Sequence, residues 1–417
     1  MVKFIRFLIL CCILLCGAQI IKPPVGPFSV FQLWLIITFA VSLPHYIVNS
    51  KRRGIYSVVS ILWIICTLIA YITSINPNWA RGSLLYGIMA SLLFLIIPNY
   101  FNRNDVNLII KTFIRSQYIV IPFSIAAPFY GVSTHIDLPF GLYIELGQEF
   151  LDSMYSTRGM IRLMLPYHTS PVLAVVMEIC ILLLMFSKNV FPDPIKYILV
   201  VAYSAILIFS GSRTGYVGMF AIFILISFNG DFKNILRKVN KVFLVIAIAV
   251  IVPSLYYVLN LDYVETILIN RTAEHAAEGL MNDRHFLVPF DGILIWLQSA
   301  GNFLFGIGSG SSAMMKGYHT FLPPHFLCSP VTLIVESGLL GLALVFLIFK
   351  VSFKIYRYRK LLTYNEKALC YSLIACLVSS ITYEIFNSFF VIFVLAVSFM
   401  LYDTIFHPMK KDKLLNA

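Results

Sequence analysis

The sequence predicts an all-α polytopic membrane protein of about 12 transmembrane helices, with one large outer loop between the ninth and tenth spans. Three observations carry this prediction. First, 59% of the 417 residues are hydrophobic, 15% are aromatic and only 12% are charged, against roughly 25% charged in soluble domains. Mean hydropathy of +0.87 leaves no room for a large water-soluble domain, which excludes soluble-enzyme folds and disordered scaffolds. Second, apolar runs of about 20 residues recur along the chain, and each run is continuous rather than alternating. Continuity means helices, because a barrel strand would alternate every second residue. Third, the net charge of +12 is unevenly spread between the loops that alternation of spans would place on opposite faces.

The runs lie near 4–21, 28–49, 55–74, 83–99, 114–131, 169–187, 194–211, 214–229, 241–260, 327–349, 368–384 and 386–403. The first has Lys3 and Arg6 ahead of an apolar stretch, as a signal peptide does. Its end, ILLCGAQIIKPP, lacks a small-residue cleavage site, and Cys16 follows Leu15, so it is expected to remain as an uncleaved first helix. Lys111 and Arg115 fall in or just before the fifth run. No internal repeat or low-complexity tract is visible. The expected organisation is N-terminal spans over 1–131, a first outer loop over 132–168 and central spans over 169–260. A large outer loop over 261–326 and C-terminal spans with a tail over 327–417 complete it.

Placing both termini in the cytoplasm puts 23 of the 31 cations inside and 8 outside, while the acids divide 7 and 12. The faces then carry +16 and −4, in line with the positive-inside rule. The positive charge is thus a topology signal, and a nucleic-acid partner is not expected. The eight cysteines lie almost all within spans and show no CxxC or zinc spacing, so they read as small buried apolar residues.

Two outer segments are too long to be mere connectors. The larger begins DYVETILINRTAEHAAEGLMNDRHFLVPFDGILIWLQSAG, whose apolar spacing predicts one or two interfacial helices. FGIGSGSS and MMKGYHTFLPPHF follow. Six of the eight outer cations are arginines: Arg81, Arg158, Arg162, Arg213, Arg271 and Arg284. Arginine's rigid fork of donors suits phosphate and diphosphate; pairing with the outer acids is the competing explanation. Arg213 sits in FSGSRTGYVG, a turn between two spans, where it either snorkels at a helix end or points into a cavity at headgroup depth. Glu178 lies mid-span, where proton coupling and helix–helix hydrogen bonding both account for a carboxylate. Glu336 and Glu384 fall in spans ten and eleven, and Glu336 is close enough to the outer end to line an outward-facing cavity. His285 directly follows Arg284. His319 and His325 flank a Pro-Pro turn just before span ten and are candidate general bases.

SGSRTG at a span turn, an arginine in the large outer loop, then FGIGSG, a histidine and a span opening VESGLLGL together resemble the O-antigen polymerase (Wzy-type) and O-antigen ligase superfamily. The similarity covers roughly residues 195–350. It implies a GT-C-like, metal-independent glycosyltransferase that takes glycan from undecaprenyl diphosphate on the periplasmic face of the bacterial inner membrane and needs no cofactor. Carried over, Arg213 matches the arginine of the SR turn, and Arg284 matches the loop arginine ahead of FGIGSG, with Trp296 on the intervening helix. His325 matches the histidine before the GLLG motif at Gly338 to Gly341. Arg158 matches the less well-defined arginine of the earlier outer loop.

One departure bears on the activity. Typical ligases follow that histidine with Asn, Ser or Gln, and their first glycine lies eleven residues on. Here Phe326 follows His325 and Gly338 lies thirteen residues on. The departure favours polymerase over ligase and keeps His319 as a second candidate.

On this reading Arg213 and Arg284, with Arg158 or Arg271, neutralise the departing diphosphate. His325, His319 or Glu336 accepts the acceptor's hydroxyl proton. The expected partners are an undecaprenyl diphosphate-linked oligosaccharide, the lipid bilayer, a chain-length regulator and a flippase. The alternatives are an O-antigen ligase that transfers polymer to lipid A-core and a transporter of lipid-linked sugar.

Overall fold

A computed structural model describes residues 1–24, 28–49, 54–126, 135–145, 163–167, 169–210, 212, 214–215, 217–218, 220–221, 284–315 and 325–415. The described chain is mostly helical. In order come α1 (Val2–Leu15), α2 (Val30–Asn49), α3 (Ile55–Ile72), α4 (Pro77–Tyr100), α5 (Val106–Ser116) and α6 (Val120–Ala126). They are followed by α7 (Ser170–Phe186), α8 (Asp193–Phe209), α9 (Arg284–Leu297) and α10 (Ala300–Phe305). The series closes with α11 (Ser329–Arg357), α12 (Tyr364–Thr382) and α13 (Phe389–Leu415).

Local sequence accounts for the helix starts. Proline occupies the first turn of α4, α7, α8 and α11, where its missing N–H would have no partner anyway. Asn76 caps α4 by accepting from the Trp79 amide at 3.3 Å. Thr363 and Glu366 form a capping box at α12.

Four described helices are long and apolar enough to cross a membrane: Val30–Val48, Ile55–Ile72, Pro77–Tyr100 and Ser329–Arg357. The surface of α3 supports a lipid environment. Its inward face carries Ser57, Ser60, Cys66 and Ala70 among larger residues, while Val58, Ile61, Ile65, Leu68 and Ile72 are exposed. Small and polar residues inward with branched aliphatics outward is the pattern for a helix whose solvent is hydrocarbon. The inward hydroxyls find partners, as Ser60 Oγ donates to the Ser91 carbonyl of α4 at 2.7 Å. α7 and α13 form the interior. Residues 172–184 of α7 and 389–397 of α13 are buried on every side.

The elements of the bundle end at two opposite poles. At the first, Arg6 of α1 pairs with Asp105 just ahead of α5, and the Arg103 guanidinium forks onto Glu366 at the start of α12. That carboxylate holds Arg103 above its usual pKa range. Asn365 bonds Asn107 and accepts from the Lys188 amide at 2.6 Å, joining the ends of α7 and α12. At the second pole a small antiparallel sheet orders β1 (Ile21–Lys22), β3 (Tyr143–Glu145) and β2 (His135–Asp137) with β3 central. Ile21 pairs with Ile144, and Lys22 Nζ bonds Glu145 at 2.7 Å.

The helical class stands with one small addition, the sheet that ties the segment after α1 to the first outer loop. One expectation changes. The fifth span is not one run from 114. α5 and α6 are joined by a 3-10 turn at Gln117–Ile119, and the element begins at Val106. α5 buries Val106, Ile109, Ile110, Phe113 and Ile114 and exposes Arg115, so its apolar residues form a stripe that a continuous-run criterion misses. The large outer loop contributes α9 and α10, whereas its earlier part and the ninth span lie outside the described residues.

Candidate functional site

Glu336 sits eight residues into α11, and two positions later the helix breaks. Gly338 has φ 65° and ψ −141°, a backbone conformation open to glycine and costly for other residues. The break frees the carbonyls of Val335 and Glu336 from helical bonding. They accept instead from the amides of Ile307 and Gly308, at 2.9 and 3.2 Å. Two backbone hydrogen bonds thereby tie the FGIGSG segment to the opening of VESGLLGL.

The same segment reaches across to the α3–α4 turn. Ser309 N–H donates to the Ala70 carbonyl at 2.8 Å, and Ser74 Oγ donates to the Ser309 carbonyl at 2.6 Å. The Ile75 amide donates to Ser311 Oγ at 3.1 Å, and Asn76 Nδ2 donates to the Gly310 carbonyl at 3.3 Å. The close approach explains Gly308, whose φ is 85° and where a Cβ would collide with the backbone of Thr73 and Ser74. The Gly310 amide then donates to Glu336 Oε1 at 3.1 Å, which fixes that carboxylate.

Beside this junction lies a cavity of about 370 Å³, lined among others by Trp79, Ser309, His325, Thr332, Glu336 and Glu384. His325 is half-buried and stacks on Trp79, with centroids 6.2 Å apart and planes at 26°. Its neighbour Phe326 is fully buried, and the Phe326 amide donates to Thr332 Oγ1 at 3.2 Å, which holds the histidine at the head of α11.

Glu384 is 6% exposed and lies just past the end of α12, in the turn to α13. Ser329 organises that turn, accepting from the amides of Ile385 and Phe386 at 2.9 and 3.2 Å and donating to the Tyr383 carbonyl at 3.3 Å. Tyr86 closes it by donating to the Phe386 carbonyl at 2.9 Å. Glu384 Oε2 is buried with no hydrogen-bond partner among the described residues.

The structure therefore brings together His325 and Glu336, two of the expected site residues. Arg158, Arg213, Arg271 and His319 lie outside the described residues, as does the side chain of Arg284, whose backbone opens α9. Trp296 belongs to the α9–α10 corner, where its Nε1 donates to the Phe303 carbonyl at 3.1 Å; it does not line the cavity. Glu178 is fully buried and accepts from Ser379 Oγ of α12 at 3.2 Å, a helix–helix hydrogen bond that also lies off the cavity wall. Of the six outer arginines, Arg81 alone is described with its side chain. It is exposed, between the wall residues Ala80 and Gly82.

Sequence reading missed the role of Trp79 and placed Glu384 inside a span. The signal for Trp79 was present: Asn76-Pro77 is a helix start, six residues ahead of the apolar run at 83. Around Glu384 the expected span eleven ends at 384 and span twelve opens at 386, which finds the turn to within two or three residues but leaves the carboxylate inside the span. No family model matches the chain, and no curated protein matches it at a significant level.

Proposed function

We propose that this chain is a membrane glycosyltransferase that polymerises lipid-linked glycan repeat units. It transfers the growing chain from one undecaprenyl diphosphate to the non-reducing end of an incoming lipid-linked unit, at the periplasmic face of a bacterial inner membrane. The observation that carries this reading is the cavity itself, beside the junction of FGIGSG and VESGLLGL and lined by both His325 and Glu336. Two motifs on which the family resemblance rests thus converge on one site together with its candidate bases.

The chemistry is a substitution at the anomeric carbon. The bond from that carbon to the acceptor oxygen forms and the bond to the phosphate oxygen breaks. The lipid diphosphate leaves with the electron pair, and the acceptor's hydroxyl proton passes to His325 or Glu336. The leaving group needs fixed positive charge in a water-poor setting, the role given to Arg213, Arg284, Arg158 and Arg271. A flippase supplying the substrate and a regulator of chain length are the expected functional partners.

The test is reconstitution of the purified protein with a lipid-linked repeat unit and no lipid A-core. A ladder of polymer is the expected result. Silence there, with transfer appearing only once lipid A-core is added, overturns polymerisation in favour of ligation.

A further inference from the structure

We infer that the cavity between α3, α4, α11 and the α12–α13 turn is a subsite for one uncharged sugar ring of the acceptor, with Trp79 as its aromatic wall and Glu384 as a hydroxyl-binding group. The choice of ligand rests on the glycosyl-transfer reading; the features that select it are independent of that reading.

The first feature is an unmet hydrogen-bond demand. Glu384 is 6% exposed and lines the cavity, and its Oε2 has no partner among the described residues. Buried polar atoms are almost always bonded, and leaving one unbonded is costly. A ligand hydroxyl is a donor of the right kind. Glu336 lines the same cavity and is held in place by the Gly310 amide, so two carboxyl groups present acceptors to one space.

The second feature is the sign of the charge. Among the described residues the wall holds two carboxylates and no lysine or arginine. A phosphate buried here would find no cation to pair with, and burying a charge without a partner is costly. The diphosphate therefore belongs elsewhere, and what enters here is uncharged. The third feature is shape. Trp79 and His325 form an aromatic strip, and rings of this kind take the C–H face of a sugar while its edge hydroxyls reach polar groups. A volume of about 370 Å³ sits at the small end of ligand sites, roughly 300–1,000 Å³, which suits a single ring better than a chain.

The experiment uses the full chain, purified in a detergent without a sugar headgroup. Tryptophan emission is followed on titration with methyl glycosides of glucose, galactose, rhamnose and N-acetylglucosamine, and separately with pyrophosphate. At least one glycoside should give a saturable change that pyrophosphate does not reverse. Glu384→Leu should weaken that binding about tenfold or more, because a site built around a hydroxyl loses most when the pairing is removed. Glu384→Gln, which keeps an acceptor oxygen and serves if the leucine variant does not fold, should weaken it less but measurably. Trp79→Ala should abolish the signal and, by calorimetry, the binding.

The inference is overturned if no glycoside binds, if pyrophosphate displaces the glycoside, or if Glu384→Gln and Trp79→Ala both bind as the parent does. Its failure is separable from failure of the polymerase reading. Glycoside binding without a polymer ladder sinks polymerisation and leaves the subsite. A ladder whose acceptor KM is unchanged in the Glu384 variants does the reverse.

Discussion

The first pole of the bundle and the cavity use charge in opposite ways. At the pole where α5 and α12 begin, Arg6 meets Asp105 and Arg103 forks onto Glu366. At the other pole Lys22 pairs with Glu145 within the sheet, but around the cavity Glu336 and Glu384 line an open space. The polar contacts that join FGIGSG to the α3–α4 turn come from backbone groups and from serine and asparagine side chains. Charges satisfied within the protein fix the ends of helices. Charges held in place but left facing a cavity remain available to a ligand.

This contrast can be broken by experiment. The largest effect should come from the diphosphate clamp. Arg213→Ala and Arg284→Ala should each lower polymer formation about 10²–10³-fold, the scale for removing one charge-stabilising donor, while membrane insertion is unchanged. Near-normal ladders from both would remove the clamp. Next, Glu336→Gln and His325→Ala should separate the base from its neighbour. The variant that loses the base should fall about 10²-fold in kcat or more, and the other should act mainly on KM.

Gly338→Ala should cost about 1–3 kcal/mol, because it forces a side chain into a conformation with φ of 65°. A Cβ there would also meet the Leu304 carbonyl. Thermal unfolding in detergent would read the loss, and the glycoside titration should show the cavity disturbed with it. The smallest effect on polymer formation belongs to the opposite pole. Arg103→Ala removes a pair whose arginine side is 43% exposed and whose Glu366 is 1% exposed. Water reaches the arginine but not Glu366, whose carboxylate is left buried without its cation, so unfolding stability should fall by about 1–3 kcal/mol while polymer ladders are unchanged. A strong loss of polymer from Arg103→Ala would erase the distinction between that pole and the cavity.

Most of the helices were legible because lipid-facing and interior surfaces are both apolar, so α2, α3, α4, α7 and α11 each appear as an apolar run. What escaped was whatever depends on a partner distant in sequence. α5 hides behind its exposed Arg115 because it buries only one stripe. β1 and β3 are two and three residues long and exist only because Ile21 finds Ile144 across more than a hundred residues.

The candidate site divides along the same line. FGIGSG, VESGLLGL, His325 and Glu336 were identifiable from composition and order, since glycine where a span should be regular marks a backbone that must bend or be approached closely. That the glycine segment docks against the bent span, that Trp79 from α4 joins His325, and that Glu384 leaves its helix to face Glu336's cavity were decided in three dimensions. The sequence by itself determined which segments are apolar enough to enter a membrane and supplied the residues proposed for the chemistry. Only the tertiary structure decided which of those residues meet, because convergence at a cavity depends on hydrogen bonds between backbone groups that every residue possesses and no residue type reveals.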